Sequence, residues 1–129
     1  MDCIFCKIVA GEIPCYKVWE DESHLAFLTI GPIQEGHTLV IPKIHVPYLF
    51  EMNSDAYSAL FEAAKPVAEK LKQVMNVPRV AMAVEGFSVD HVHLHLVPVT
   101  AAGQLDPCLE KKEADHTALA ATLAKILKR

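Results

Sequence analysis

Residues 91–98 read HVHLHLVP, with three histidines in alternate positions. Imidazole and aliphatic side chains alternate in it, which is the period of a half-buried β-strand. One face of that strand is expected to enter a core with three aliphatic residues: Val92, Leu94 and Leu96. The other face is expected to present three imidazoles about 7 Å apart: His91, His93 and His95. Because imidazole is a nucleophile, a proton carrier and a metal ligand near neutral pH, a row of three indicates a functional site.

Composition limits the class of protein. The chain has 129 residues, of which 52% are hydrophobic and 22% charged, so we expect one folded domain over residues 1–129. A net charge of −4 argues against nucleic acid or an anionic membrane as the main partner, since both select for clustered Lys and Arg. No apolar run reaches the roughly 18 to 20 residues of a membrane helix, and the N-terminus lacks a signal-peptide pattern. We therefore expect a cytoplasmic protein whose four cysteines are thiols or metal ligands.

The remaining pattern predicts an α+β fold, an antiparallel five-stranded sheet with helices packed on one face. Besides the histidine stretch, strands are expected at residues 16–20, 24–30, 37–42 and 79–85. Helices are expected over residues 3–10, in a long segment that Asn53 or Ser54 caps, and over residues 115–128. Pro66 should kink or split the long helix, because proline removes a backbone donor.

Cys3 and Cys6 form a Cys-x-x-Cys pair, whose spacing allows two thiolates to bind one Zn²⁺. A tetrahedral zinc site needs four ligands, and Cys15 and Cys108 are isolated in the sequence. Histidines must complete such a set, and His45 and one histidine of the 91–95 row are the candidates. The alternative is that both cysteines are small buried residues of a short helix.

Several motifs together resemble the histidine triad (HIT) family. They are GHTLVIPKIH at 36–45, HVHLHLV at 91–97, and the opening CIFCKI at 3–8 with GEIP at 11–14. The resemblance covers residues 3–98, so residues 100–129 form a C-terminal extension outside it. It implies a HIT-like fold for the whole domain.

The resemblance also implies an activity. Family members are hydrolases and transferases that act on the α-phosphorus of nucleoside monophosphate derivatives, among them phosphoramidates and dinucleoside polyphosphates. By position His93 is then the nucleophile that carries the nucleotidyl group, and an imidazole is free to attack when its other nitrogen donates to a fixed acceptor. His95 and His37 match positions that contact the phosphate, and Ser88 matches a position near the leaving group. The chemistry requires no metal.

In family members with the cysteine pair, a structural zinc is held by four residues that correspond here to Cys3, Cys6, His45 and His91. That metal would join the N-terminal helix to the catalytic strand. Family members usually form homodimers, so a second copy of the chain and a nucleotide substrate are the expected partners.

The nucleoside pocket implied by the resemblance consists of apolar residues, whose alternative is ordinary core: Phe5, Ile8, Ile13, Phe27 and Ile30. Two positions depart from the family. Thr29 replaces an Asp that binds the ribose hydroxyls, and Phe87 replaces a Gln that contacts the phosphate. These departures leave open a nucleotide-binding regulatory or scaffold protein with weak turnover. The histidine row leaves a second alternative, a metal-handling protein that binds zinc or copper and would hold more than one metal per chain.

Overall fold

The computed structural model describes residues 2–111 and 115–128. Met1, residues 112–114 and Arg129, which the predicted 1–129 domain includes, lie outside the described residues. Five strands form one sheet: β1 (Tyr16–Glu20), β2 (His24–Leu28), β3 (Thr38–Pro42), β4 (Arg79–Ala83) and β5 (Leu94–Val99). Their order is β1-β2-β3-β5-β4, and every neighbouring pair is antiparallel. The predicted α+β class with a five-stranded antiparallel sheet is confirmed.

Helices cover both faces of this sheet, and not one face as the sequence pattern predicted. The helices are α1 (Ile4–Val9), α2 (Ser54–Met75) and α3 (His116–Lys128). The long α2 and the terminal α3 share one core with Ala26, Val40 and Leu94 of the sheet. On the opposite face, Phe5 of α1 packs with four strand residues: Leu25, Phe27, Leu39 and Ile41. The short α1 covers only part of this face, and a cavity lies beside it.

The helix α2 is continuous from Ser54 to Met75, so Pro66 does not split it, and the alternative of a kink stays a prediction. Its N-terminus is capped by Asn53, whose side chain accepts a hydrogen bond from the Ala56 amide at 2.8 Å. Pro66 lies on the exposed side of the helix, where water can satisfy the carbonyl that loses its donor. Asn76 ends the helix in the left-handed conformation, with φ of 54°.

The histidine stretch enters the sheet later than its alternation predicts. The strand β5 begins at Leu94, so His91 and His93 precede it. Pro42 explains this difference, because it ends β3 and has no amide to extend the ladder towards them. The alternation of faces persists nevertheless: Val92, Leu94 and Leu96 lie in the core shared with α2, and His95 pairs with Leu39 of the α1 side.

The other strand ends differ from their predicted positions by at most two residues. Among the described residues, none of the helices combines the length and the apolar character needed to cross a lipid bilayer.

Candidate active site and metal centre

A cavity of about 560 Å³ lies on the α1 side of the sheet. Every residue predicted for the nucleoside pocket contributes to its lining: Phe5, Ile8, Ile13, Phe27, Thr29 and Ile30. Ser88, His93 and His95 line the same cavity, whereas His37 lies behind His95. The fold therefore brings the predicted apolar pocket and three of the four predicted catalytic residues together.

His93 is fixed in one orientation by its own chain. Its Nδ1 lies 2.8 Å from the carbonyl oxygen of His91, and its ring meets Phe5 edge-on at 5.1 Å. A carbonyl can only accept, so Nδ1 carries the proton and Nε2 of the neutral ring keeps its lone pair. Burial lowers the pKa of His93, and the bond to the His91 carbonyl opposes that change. The residue is only 2% exposed, yet it lines the cavity.

A chain of hydrogen bonds, called the relay below, fixes the orientation and the tautomer of His37 and His95. The Ile33 amide donates to Nδ1 of His37 at 3.0 Å, so the proton of neutral His37 lies on Nε2. That nitrogen is 3.0 Å from Nδ1 of His95 and donates to it. His95 then carries its own proton on Nε2. This N–H is a donor that the relay does not use. Since both nitrogens of His37 are engaged, its part is to position His95.

Burial keeps both of these rings neutral. Loss of solvent, and then repulsion from neighbouring histidines, lower the pKa of His37 to about 4 and that of His95 to about 4. Neutral imidazoles retain the alternating donor and acceptor pattern that the relay needs.

Four side chains form a cluster that fits a metal ion: Cys3, Cys6, His45 and His91. Their ligand atoms all lie within 4.8 Å of one another. Nδ1 of His91 is 3.4 Å from Sγ of Cys3, and Nδ1 of His45 is 3.3 Å from Sγ of Cys6. Two thiolates and two imidazoles are a donor set that suits tetrahedral Zn²⁺.

The tautomer of His91 supports this assignment. Its Nε2 donates to the carbonyl of Pro42 at 2.8 Å, so Nδ1 presents a lone pair to the two sulfur atoms. Such a bond to a backbone carbonyl is the usual way to orient a metal-binding imidazole. His91 therefore belongs to two sites, because its ring faces the cluster and its carbonyl holds His93.

The two predicted departures lie in different loops, Phe87 in the loop before the 91–95 histidine row and Thr29 directly after β2. Ser88 is exposed at the rim of the cavity. Phe87 turns out to solvent, 89% exposed, and contributes no polar group to the lining. Thr29 does line the cavity, but its hydroxyl oxygen accepts a hydrogen bond from the Gly31 amide at 3.2 Å.

Sequence reasoning missed three polar residues of the cavity: Tyr16, Glu110 and His116. Two of them belong to the C-terminal extension and meet the cavity only because the chain folds back over it. His116 is exposed, and its Nδ1 is hydrogen-bonded to the hydroxyl of Tyr16. No periodicity or spacing in the sequence signals this long-range contact.

Comparison with known proteins gives consistent results. Residues 10–102 match the HIT domain family. The adenosine 5'-monophosphoramidase hnt1 of Schizosaccharomyces pombe is 41% identical over 103 residues, which is 76% of this chain and 74% of that protein. A Hit-like protein from Bartonella henselae has a similar structure, with a TM-score of 0.85, 27% identity and coverage of 97% of this chain and 93% of that one. A Zn-bound histidine triad family protein from Mycobacterium smegmatis has a TM-score of 0.78 at 27% identity, covering 99% and 95%.

The cluster predicts the metal content of the protein. We expect one zinc per chain, and Cys6→Ser should lose most of it and unfold at a lower temperature, because metal affinity contributes to folding. Elemental analysis with thermal unfolding measures both effects. Cys108→Ser, which removes an exposed thiol outside the cluster, is the control. Full zinc occupancy in Cys6→Ser would contradict the assignment of the ligands. More than one metal per chain would favour a metal-handling protein.

The relay predicts a dependence of stability on pH. The folded pKa values of His37 and His95 are about 4, below the ordinary 6.5, so the unfolded chain binds more protons between these limits. The free energy of unfolding should then fall as the pH drops from about 6.5 towards 4, by up to ~1.4 kcal/mol per pH unit for each histidine. In His37→Gln one contribution is removed, so the slope from urea unfolding between pH 7 and 5 should be shallower. An unchanged slope would show that His37 is not held neutral by the fold.

Proposed function

Because the chain belongs to the HIT family, we propose that it is a nucleotide hydrolase or nucleotidyl transferase acting on the α-phosphorus of a nucleoside monophosphate derivative. The proposed substrates are phosphoramidates or dinucleoside polyphosphates. The name of the Schizosaccharomyces pombe relative, an adenosine 5'-monophosphoramidase, supports the first of these.

One observation carries the proposal, the hydrogen bond from Nδ1 of His93 to the carbonyl of His91. It leaves an unprotonated Nε2 on a residue that lines the cavity. Attack on phosphorus requires such a lone pair, and the nitrogen needs no general base because it carries no proton to lose.

The reaction then proceeds in two steps. Nε2 of His93 forms a bond to the α-phosphorus, and the bond from phosphorus to the leaving group breaks. A proton reaches the leaving group from the hydroxyl of Ser88, which lines the cavity. The ring now carries a positive charge, and the His91 carbonyl stabilises it through the same hydrogen bond. Water next attacks phosphorus, the bond to nitrogen breaks, and the water's second proton passes to the Ser88 oxygen.

His95 is proposed to stabilise the negative charge on the phosphate oxygens. Its Nε2–H is the donor that the relay leaves available, and His37 holds it in place. Zinc at the cluster of Cys3, Cys6, His45 and His91 would have a structural part, fixing His91 and through it His93.

The apolar walls of the cavity are proposed to hold the base. Ile8 lines the cavity from α1 and Phe27 lines it from β2. Ile30 also lines the cavity, with 60% of its surface exposed. An exposed apolar side chain beside a cavity is available to cover a planar ring.

Pairing of two chains stays a prediction. The edge strand β4 supports it, because no strand of the described part of the chain pairs with its outer side and Met82 is 41% exposed. Open edges of this kind can add a strand from a second copy. Whether the protein resides in the cytoplasm also stays a prediction.

A second function has one observation in its favour. Phe87 provides no donor towards the cavity and is solvent-exposed, so a phosphate contact implied by the resemblance is missing. Such a loss would suit a regulatory protein that binds nucleotide but turns it over weakly.

The mechanism predicts the behaviour of a single variant. With a fluorogenic adenosine phosphoramidate, His93→Ala should lose at least about 10³-fold in kcat, because the variant lacks the nitrogen that forms the bond to phosphorus. Stopped-flow fluorescence and intact-protein mass spectrometry should detect a burst and a nucleotidyl adduct in the parent only.

Glu62→Gln, which neutralises an exposed carboxylate of α2 on the opposite face of the sheet, should keep the parental rate. An equal rate in His93→Ala would exclude the mechanism. A parent that binds the nucleotide with neither burst nor turnover would identify the regulatory protein instead.

A further inference from the structure

Glu110 contributes a carboxylate to the cavity from outside the matched family region, which ends at residue 102. It is the one acidic side chain among the described residues that line the cavity. Among the described residues Glu110 has no ion-pair partner. A negative charge is unfavourable beside a phosphate, so a carboxylate in a nucleotide pocket suits another part of the ligand.

The segment that carries Glu110 is tied to the loop after β2. The Lys111 amide donates to the carbonyl of Pro32 at 3.1 Å. Further along, Glu35 of the same loop accepts hydrogen bonds from the Thr122 hydroxyl at 3.2 Å and from Nζ of Lys125 at 3.1 Å. These contacts hold the segment on both sides of residues 112–114 against the loop after β2, so Glu110 lies beside the cavity although its side chain is exposed.

Gly31 lies against the segment that carries this carboxylate. A Cβ at Gly31 would lie 2.7 Å from Oε2 of Glu110 and 3.1 Å from the backbone oxygen of Lys111. The flexible carboxylate could move aside for a side chain, whereas the Lys111 backbone could give way less easily. These distances place the carboxylate next to Gly31, which follows Thr29 and Ile30 of the cavity lining.

We propose that Glu110 accepts hydrogen bonds from the ribose hydroxyls and so selects ribonucleotides over deoxyribonucleotides. This rests on the proposed function, in which phosphorus lies at His93 and the base lies between the apolar walls. The sugar joins these two parts, and its vicinal hydroxyls are two donors that one carboxylate can accept together. The hydroxyl of Thr29 is a single oxygen that already accepts from Gly31, and Tyr16 is paired with His116.

The test compares adenosine and 2'-deoxyadenosine phosphoramidates in the full-length protein. The parent should favour the ribonucleotide by about tenfold or more in kcat/KM, since a hydrogen bond to a charged group is lost with the 2'-hydroxyl. In Glu110→Gln most of this preference should disappear through a higher KM for the ribonucleotide, with kcat nearly unchanged. Glu22→Gln, which neutralises an exposed carboxylate in the β1–β2 turn, should keep the parental ratio.

If Glu110→Gln keeps the parental ratio of the two kcat/KM values, or if the parent shows no preference for the ribonucleotide, the inference is overturned. Neither result would contradict the proposed hydrolase activity. If the parent hydrolyses neither compound, the proposed function fails. The inference is then decided by the dissociation constants of AMP and dAMP from calorimetry, which must show the same ratio in the parent and its loss in Glu110→Gln.

Discussion

The structure depends on the double role of His91. Its ring is buried, with one nitrogen bonded to the Pro42 carbonyl and the other facing two cysteine sulfurs. Its backbone carbonyl fixes the tautomer of His93. Anything that orders the metal cluster therefore also orders the proposed nucleophile. The end of β3 at Pro42 is part of the same constraint, because it frees the carbonyl that the His91 ring uses.

Around this centre, the site combines parts from distant regions of the chain. The histidines stand on or beside the central strands, and α1 closes one side of the cavity with Phe5 and Ile8. The C-terminal segment is held to the loop after β2 by hydrogen bonds and one exposed ion pair, and to the sheet by α3, whose buried residues belong to the core shared with α2. The reacting groups of the proposed mechanism thus stand on rigid elements of the sheet, while residues from elsewhere in the chain line the rest of the cavity.

The sequence allowed some of this to be predicted, for identifiable reasons. Alternation in residues 91–98 correctly separated the core face from the histidine face, because side-chain period is a property of extended chain and persists outside the hydrogen-bonded ladder. It could not locate the start of β5, which depends on Pro42 in another strand. The spacing of Cys3 and Cys6 left the ligand set open between His45 and the histidines of the 91–95 row, and only the resemblance singled out His91 from that row. The relay through His37 and the return of Glu110 to the cavity are long-range contacts that no local pattern encodes.

The positions of the protons on three imidazole rings can be measured by long-range ¹H–¹⁵N NMR of ¹⁵N-histidine protein at pH 7. We expect His93 to be neutral with its proton on Nδ1, and His37 and His95 to be neutral with theirs on Nε2. A His93 ring protonated on Nε2, or on both nitrogens, would leave no lone pair for attack and would contradict the proposed mechanism.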